Sequence, residues 1–478
     1  MNIFSLALRN VLRNRRRTAL TLAALGVAAS AMVMLGGYVS ATIKGLQTTT
    51  VRQTGHLQIM VRGYLDFGRG NPSGYAIRQV DELVAALKSD PGLKPLVQVV
   101  TPVLHVQGVA GQFASGLSSN FVGSAWVPQD RNSMLAWDGQ GMRFPPAPNH
   151  LRQDQPESGV IGVGLAQLLG LCEALEVKQC ARPPAQTAAP GPRMADDLAL
   201  LSQQVRASTA APASSDDEVP IELLSSSQGG APNVIRMNVA RAELQGVRDL
   251  DRMYVGMPLA LAQRLVFGGD AAGASALVVQ LHRTADMPLA RQRIESLLAA
   301  RVASAPTPGV DGLMPQDLEV REFQEVAPSY NQVVAMFNSV FGFVSLLMVV
   351  VTLFSVANTV NMAVSERTAE IGTLQALGLK QRHIRALFIV EGGLIGAAGA
   401  ALGVVMALLV SEYGINPAGW KWTPPGNSVG VPVGIDVWGS GSLCLGVLTA
   451  LTLLACLSSW WPANRASKME IVEALRHA

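Results

Sequence analysis

Four uncharged stretches, residues 18–42, 326–365, 392–411 and 437–464, set the first constraint on this chain. Each is as long as the ~18–20 residues a helix needs to cross about 30 Å of hydrocarbon. One such run is compatible with a buried core helix, but four together point to a bilayer. The composition agrees: of 478 residues, 49% are hydrophobic and only 15% charged, against about 25% charged in a typical soluble domain. The net charge of +3 is too small to point to nucleic acid. Where the charges lie says more than their sum.

Lys and Arg near span ends favour the cytoplasmic side. Arg9, Arg13, Arg15, Arg16 and Arg17 precede the first stretch with no acid among them. Arg367, Lys380, Arg382 and Arg385 lie between the second and third, and Arg465, Lys468 and Arg476 follow the fourth. Lys421 alone separates the third from the fourth. The predicted order is therefore an amphipathic cytoplasmic helix (1–17), transmembrane helix 1 (18–42), an extracytoplasmic α+β domain (43–330) and transmembrane helix 2 (331–364). A cytoplasmic segment (365–385), transmembrane helix 3 (386–411), a short external loop (412–436), transmembrane helix 4 (437–461) and a cytoplasmic tail (462–478) follow. The fold class is an α-helical membrane protein with four transmembrane helices and a large α+β domain inserted between helices 1 and 2. The first span begins like a secretory signal, but its long apolar run and the later spans mark it as a retained anchor.

In residues 2–17, a helical period places Phe4, Leu8, Val11 and Leu12 on one side and Arg9, Arg13 and Arg16 opposite. A helix lying on the inner membrane face and a plain basic flank both fit this pattern. Between the first two spans, "HLQIMV" (56–61), "LVQVVTPVLHVQGV" (96–109) and "SALVVQLHR" (275–283) read as strands, the second as one long strand or a pair. Helices are expected with Ile77, Val80, Val84 and Leu87 on one face, and with Ala290, Ile294, Leu297 and Leu298 on another. Residues 181–230 are rich in Pro, Ala, Ser and Gly and lose apolar periodicity, so most of this insertion is expected to be flexible. Cys172 and Cys180 lie at its mouth, where an oxidising compartment permits a disulfide. Their spacing leaves the pairing open. Cys444 and Cys456, in the fourth span, read as small apolar packing residues.

Signals for chemistry are missing. The six histidines are scattered, no Cys/His ligand cluster or G-x-S-x-G elbow occurs, and there is no Gly-Lys dipeptide and hence no Walker A loop. "GVGLAQ" (162–167) has half of a dinucleotide fingerprint and reads better as a Gly-rich turn opening a helix. No catalytic, cofactor-binding or metal-binding residue is assigned, and the spans lack the buried charges of an ion-coupled transporter.

The stretch "SERTAEIGTLQALGLKQRHI" (365–384) is then the most structured-looking cytoplasmic segment. Its Glu366, Arg367, Glu370, Ile371, Gly372, Ala376, Leu377 and Gly378 resemble the E-R-x-x-E-I-G-x-x-x-A-L-G connection of FtsX/MacB-like (type VII) ABC transporter permeases. The N-terminal "ALRNVLRNRRRTALT" and the ending with Pro462, Ala463, Ala466, Glu473, Ala474, Leu475 and Arg476 resemble the same family. The likeness is strong over 5–62 and 326–478. It is weaker in the external domain, in "GVIGVGLAQLLGL" and "RMYVGMPLALAQRLV", and lapses after Leu171.

The resemblance implies a permease subunit that binds no cofactor itself. ATP and Mg would be handled by a separate cytoplasmic ABC ATPase, in two copies, acting with a second permease copy or a paralogue. A periplasmic carrier or outer-membrane factor, and membrane lipids, complete the implied partners; nucleic acid is not among them. ATPase closure would move the cytoplasmic helix ends and transmit motion to the external domain. Gly372 and Gly378 bound a short helix with Leu374 and Leu377 near one face, a knob suited to a groove in that ATPase. The alternative is an ordinary basic connection. "TGHLQIMVRGY" (54–64) looks most like the lipoprotein-releasing branch, with drug or peptide efflux, or activation of a cell-wall hydrolase, as competing functions. In the third span, Gly392/Gly396 and Gly399/Gly403 form GxxxG pairs that allow close helix approach. Glu391 opens that span, either lapping the inner surface or making a structural or coupling contact.

Overall fold

In a computed structural model the four apolar stretches are helices; the first two run past both ends of the predicted spans, the third past its start and the fourth past its end. The residues described are 3–13, 15–68, 70–112, 116–141, 148–177, 219–227, 230–268, 273–304, 316–423 and 430–469. Helix α1 (Ile3–Arg13) precedes α2 (Arg15–Thr54); α3 (Pro328–Glu366), α4 (Thr368–Ala376), α5 (Gln381–Leu409) and α6 (Gly441–Ser467) follow. Helices α2, α3, α5 and α6 each contain an apolar window long enough to cross a membrane. Apolar content limits the part that suits hydrocarbon, but backbone hydrogen bonding continues the helix past it. The chain divides into two units, one comprising Met1–Leu46, Ser329–Trp422 and Val431–Ala478, the other Gln47–Pro328 with Thr423–Gly430.

In the helical unit the N-terminal segment forms α1 as a separate helix, and the helix carrying the first span already begins at Arg15. Phe4, Leu8 and Leu12, four residues apart, form an exposed apolar stripe on α1. Val11, at the edge of that arc, turns inward onto the core of the unit. Trp438, in a short 3-10 turn just before α6, and the pair Trp460 and Trp461, in its second half, are exposed. The 22 residues from Trp438 to Trp460 correspond to about 33 Å of helix, close to a hydrocarbon thickness. Trp is enriched at membrane–water interfaces.

The second unit is built on a nine-stranded sheet. Its strands are β1 (Leu57–Val61), β2 (Val97–Gln112), β3 (Leu117–Trp126), β4 (Ser158–Gly162), β5 (Val219–Ser226), β6 (Pro232–Glu243), β7 (Tyr254–Pro258), β8 (Ala276–Leu281) and β9 (Leu318–Glu322). The stretch after Leu96 is thus one long strand, not a pair. The order β3-β7-β4-β6-β5-β2 closes on itself because β3 also pairs with β2, while β8-β1-β9 extends from β2. Strand β2 serves both parts: Val97–Val103 pairs with β8, and the stretch from Val103 to Gln112 pairs with β3. Phe121, Ile161, Ile221, Leu223, Met237 and Leu261 belong to the buried core of the closed part.

Two sequence expectations change here. Strand β5 falls inside the 181–230 stretch that composition marks as flexible. Its Ile221 and Leu223 alternate into the core, a two-residue signal hidden among Ser, Pro and Ala. In the helix Val80–Ser89, the buried positions are Val80, Leu83 and Leu87, so Leu83 takes the place expected for Val84. The helix Met287–Ser304 buries Ala290, Ile294 and Leu298, and Leu297 is half-buried.

The turn at Gly162 opens the helix Val163–Leu168 as anticipated. The carboxylate of Asp251 accepts hydrogen bonds from the backbone N–H groups of Val163 and Gly164, at 3.1 and 2.8 Å. A protein acid therefore occupies the donors that a phosphate would need there. After α2, Gly55 takes φ +70°, and His56 is fully buried. The His56 Nδ1 accepts from the Leu281 N–H at 3.0 Å, and the ring stands edge-on to Trp137. Burial pushes its pKa down to about 4, so the imidazole is neutral.

Candidate functional site

The 365–385 stretch folds as a complete short element. Helix α3 ends at Glu366, Arg367 leaves helical geometry, and α4 occupies Thr368–Ala376. Gly378 has φ +88°. Its N–H donates to the Gln375 carbonyl at 2.9 Å, and the Leu379 N–H donates to the Leu374 carbonyl at 3.1 Å. This is a Schellman cap, which satisfies carbonyls at the helix end and requires the left-handed conformation that glycine adopts without strain. A Cβ at Gly378 would meet open space, so backbone conformation, not packing, makes the demand there.

One face of α4 is fastened to the bundle. Ile371 is buried in a cluster with Val364, Ile384, Phe388, Ala463 and Ala466; Gly372, expected to bound the short helix, instead lies within α4, buried beside Ile371, because the helix starts four residues earlier. The Gln375 side chain donates to the Ser467 carbonyl at 3.3 Å. Leu374 is half-buried, whereas Ala376, Leu377 and Gly378 are exposed. Leu374 and Leu377 therefore do not make a joint knob: Leu377, 78% exposed, projects as the large apolar side chain of the outer face. The tail residues Pro462, Ala463 and Ala466 pack inward; Glu473, Ala474, Leu475 and Arg476 lie outside the described residues.

The charged residues of the motif form a connected set. Arg13 Nη2 lies 2.6 Å from Glu370 Oε1, and Arg17 pairs with Glu366. Arg367 Nε lies 2.8 Å from Glu370 Oε2, and its Nη1 lies 3.5 Å from Glu391 Oε2. Hydrogen bonds from Arg367, and then from Arg13, hold the Glu370 carboxyl below its ordinary range against partial desolvation. Exposed pairs such as Arg13–Glu370 contribute little stability one by one, about 0–1 kcal/mol. Their geometric effect is to join α1 and α2 to the α3–α4 corner. The sequence carried a sign of these pairs: Arg13 and Arg17 are four residues apart, as are Glu366 and Glu370.

Each GxxxG pair seats a different neighbour. A Cβ on Gly392 would lie 1.9 Å from Ser459 Oγ, and one on Gly396 would lie 2.4 Å from Ala455 Cβ, both on α6. A Cβ on Gly399 would lie 2.6 Å from Leu25 Cβ, and one on Gly403 would lie 2.4 Å from the Gly26 carbonyl oxygen, both on α2. Helix α5 is therefore the hub of the helical unit, and these contacts lie within one chain. Cys172 is disulfide-bonded; Cys180 lies outside the described residues. Cys444 and Cys456 are free thiols.

Residues 342–471 match the family of FtsX-like permease C-terminal domains. Relatives include an uncharacterized ABC transporter permease of Methanocaldococcus jannaschii, 29% identical over 161 residues covering 34% of this chain and 38% of that protein. The lipoprotein-releasing system transmembrane protein LolC of Haemophilus influenzae is 29% identical over 152 residues, 30% of this chain and 35% of LolC. The macrolide export ATP-binding/permease protein MacB of Bdellovibrio bacteriovorus is 26% identical over 231 residues, 48% of this chain and 31% of MacB. Residues 342–471 are thus similar to an FtsX-like permease domain, and parts of the chain are similar to proteins named as ABC transporter permeases. It spans about a third of the length of these relatives.

Proposed function

We propose that this chain is a permease subunit that receives motion from an ABC ATPase at α4 and passes it across the bacterial inner membrane to the sheet unit. The observation that carries this reading is the build of α4: capped by Gly378, fixed to the bundle by Ile371, and presenting exposed Leu377. These 478 residues hold no Walker A sequence, which supports a reading in which a nucleotide-binding partner supplies hydrolysis, two copies of it acting on a pair of permeases. The Arg-rich flanks support cytoplasmic termini and an extracytoplasmic sheet unit. Work is done on a hydrophobic cargo: lipoprotein release is the first choice, and macrolide-type or peptide efflux the second. A Cys172–Cys180 disulfide would suit the same external compartment.

The test is Leu377→Asp in the full-length protein. Co-purification of the wild type with an ATP-binding-cassette ATPase, and loss of most of that complex in the variant, is the expected result, because burying an unpaired charge costs several kcal/mol. Membrane insertion should be unchanged, since position 377 lies outside the apolar windows. Undiminished complex formation and ATP turnover by the variant would remove α4 from the docking role.

A further inference from the structure

Glu391 is the buried acid of the helical unit that the coupling motif does not include. It lies on α5, 7% exposed, immediately before Gly392, where α5 meets Ser459 of α6 too closely to admit a side chain. Its backbone position is therefore fixed by the tightest part of the bundle. Its Oε2 has no hydrogen-bond donor at bonding distance; the nearest cation is Arg367 Nη1 at 3.5 Å, and Arg13 and Arg17 also face the carboxyl. The side-chain amide of Asn10 on α1 faces the same carboxyl.

A buried carboxylate is costly unless it is paired, and a long pair through an oxygen that accepts no hydrogen bond is a poor way to gain stability. A hydrophobic residue would pack there at less cost. What the acid does supply is a charge that attracts Arg367. Arg367 stands at the break between α3 and α4, and its other nitrogen holds Glu370 on α4. Glu391 thus links α5 to the corner that carries α4. Helix α4 has only nine residues, too few to be a stable helix in water by itself, so what fastens it decides its order.

We propose that Glu391 is a positioning residue that anchors the Arg367–Glu370 corner to α5, so that displacement of α4 is delivered to the α5–α6 pair. This deepens the coupling reading above and rests on it. The experiment compares Glu391→Gln, Glu391→Asp and wild type as full-length protein in phosphatidylethanolamine/phosphatidylglycerol nanodiscs. Hydrogen exchange of the 368–376 amides is measured on the permease alone, and ATP turnover with the ATPase that co-purifies. Glu391→Gln should speed exchange of those amides about tenfold or more and lower turnover per bound complex to a similar degree. ATPase binding should stay within about threefold of wild type, and Glu391→Asp should restore part of both losses. Wild-type exchange and turnover in Glu391→Gln would overturn the proposal. So would loss of binding in step with a general fall in thermal stability, which would make Glu391 a plain structural residue. If no ATPase accompanies the wild type, the permease reading fails, and the exchange measurement still decides whether Glu391 anchors α4.

Discussion

The sheet unit and the helical unit close their cores by opposite means. Phe121, Leu165, Met237 and Leu261 fill the closed part of the sheet, and each is almost wholly buried. In the helical unit the closest crossings are made by Gly392, Gly396, Gly399 and Gly403, residues without side chains. The solvent explains the contrast. In water, removing apolar surface drives assembly, so large side chains are gathered inside. Between helices in a bilayer, lipid is as apolar as leucine, and attraction comes from close backbone approach. Large apolar side chains of the helical unit are turned outward as well, as Phe343, Leu346 and Phe354 are on α3, while others such as Phe388 and Leu451 are buried between the helices.

This contrast predicts that deletion harms one unit and addition the other. The largest effect is expected from Phe121→Ala, which removes a buried ring from the sheet core and should cost about 3–5 kcal/mol. Urea unfolding followed by emission of the buried Trp126 and Trp137 would measure it. A loss under 1 kcal/mol would mean that the closed sheet tolerates a cavity and that the contrast is misdrawn.

Next comes Gly403→Val, where a Cβ would stand 2.4 Å from a backbone oxygen that no rotamer change can move aside. Overpacking of this kind costs about 1–3 kcal/mol or more. A dye that fluoresces on reaction with Cys444 and Cys456 as detergent-solubilised protein is heated should show a lower transition temperature. An unchanged transition would argue that α2 and α5 are not in contact at Gly403.

The smallest effect is expected from Phe354→Ala, 73% exposed on α3. It should change stability in the same thermal assay by less than about 0.5 kcal/mol. A loss comparable to that of Phe121→Ala would show that another protein surface, rather than lipid, covers this face. That result would sharpen the comparison by moving α3 from the lipid-facing class to the packed one.

Much of the site is legible in the sequence because its signals are local. The α4 cap follows from Gly378 after a short helix-forming stretch, and the spans follow from uninterrupted apolar content. Leu374 and Leu377 were harder to separate: their spacing places both near one side of a helix, but only the neighbours of α4 determine which of them is covered. Strand β5 was hidden because its two core residues are diluted by a composition typical of disordered chain. Asp251 gives no local sign of its task, since the donors it satisfies are Val163 and Gly164, far away in sequence.

By itself, then, the sequence determined the four apolar helices, the charge asymmetry at their ends, a short helix ending before Gly378 and the close-approach positions on α5. Each depends on hydropathy, charge or backbone preference within a few residues. Only the tertiary structure decided that Gly392 and Gly396 face α6 while Gly399 and Gly403 face α2. It also decided that β3 closes the sheet onto β2 and that Arg367 reaches both Glu370 and Glu391. Those are pairings between residues distant along the chain. A period or a run of residues can mark a face as buried, but the identity of what buries it is set by where the rest of the chain comes to rest.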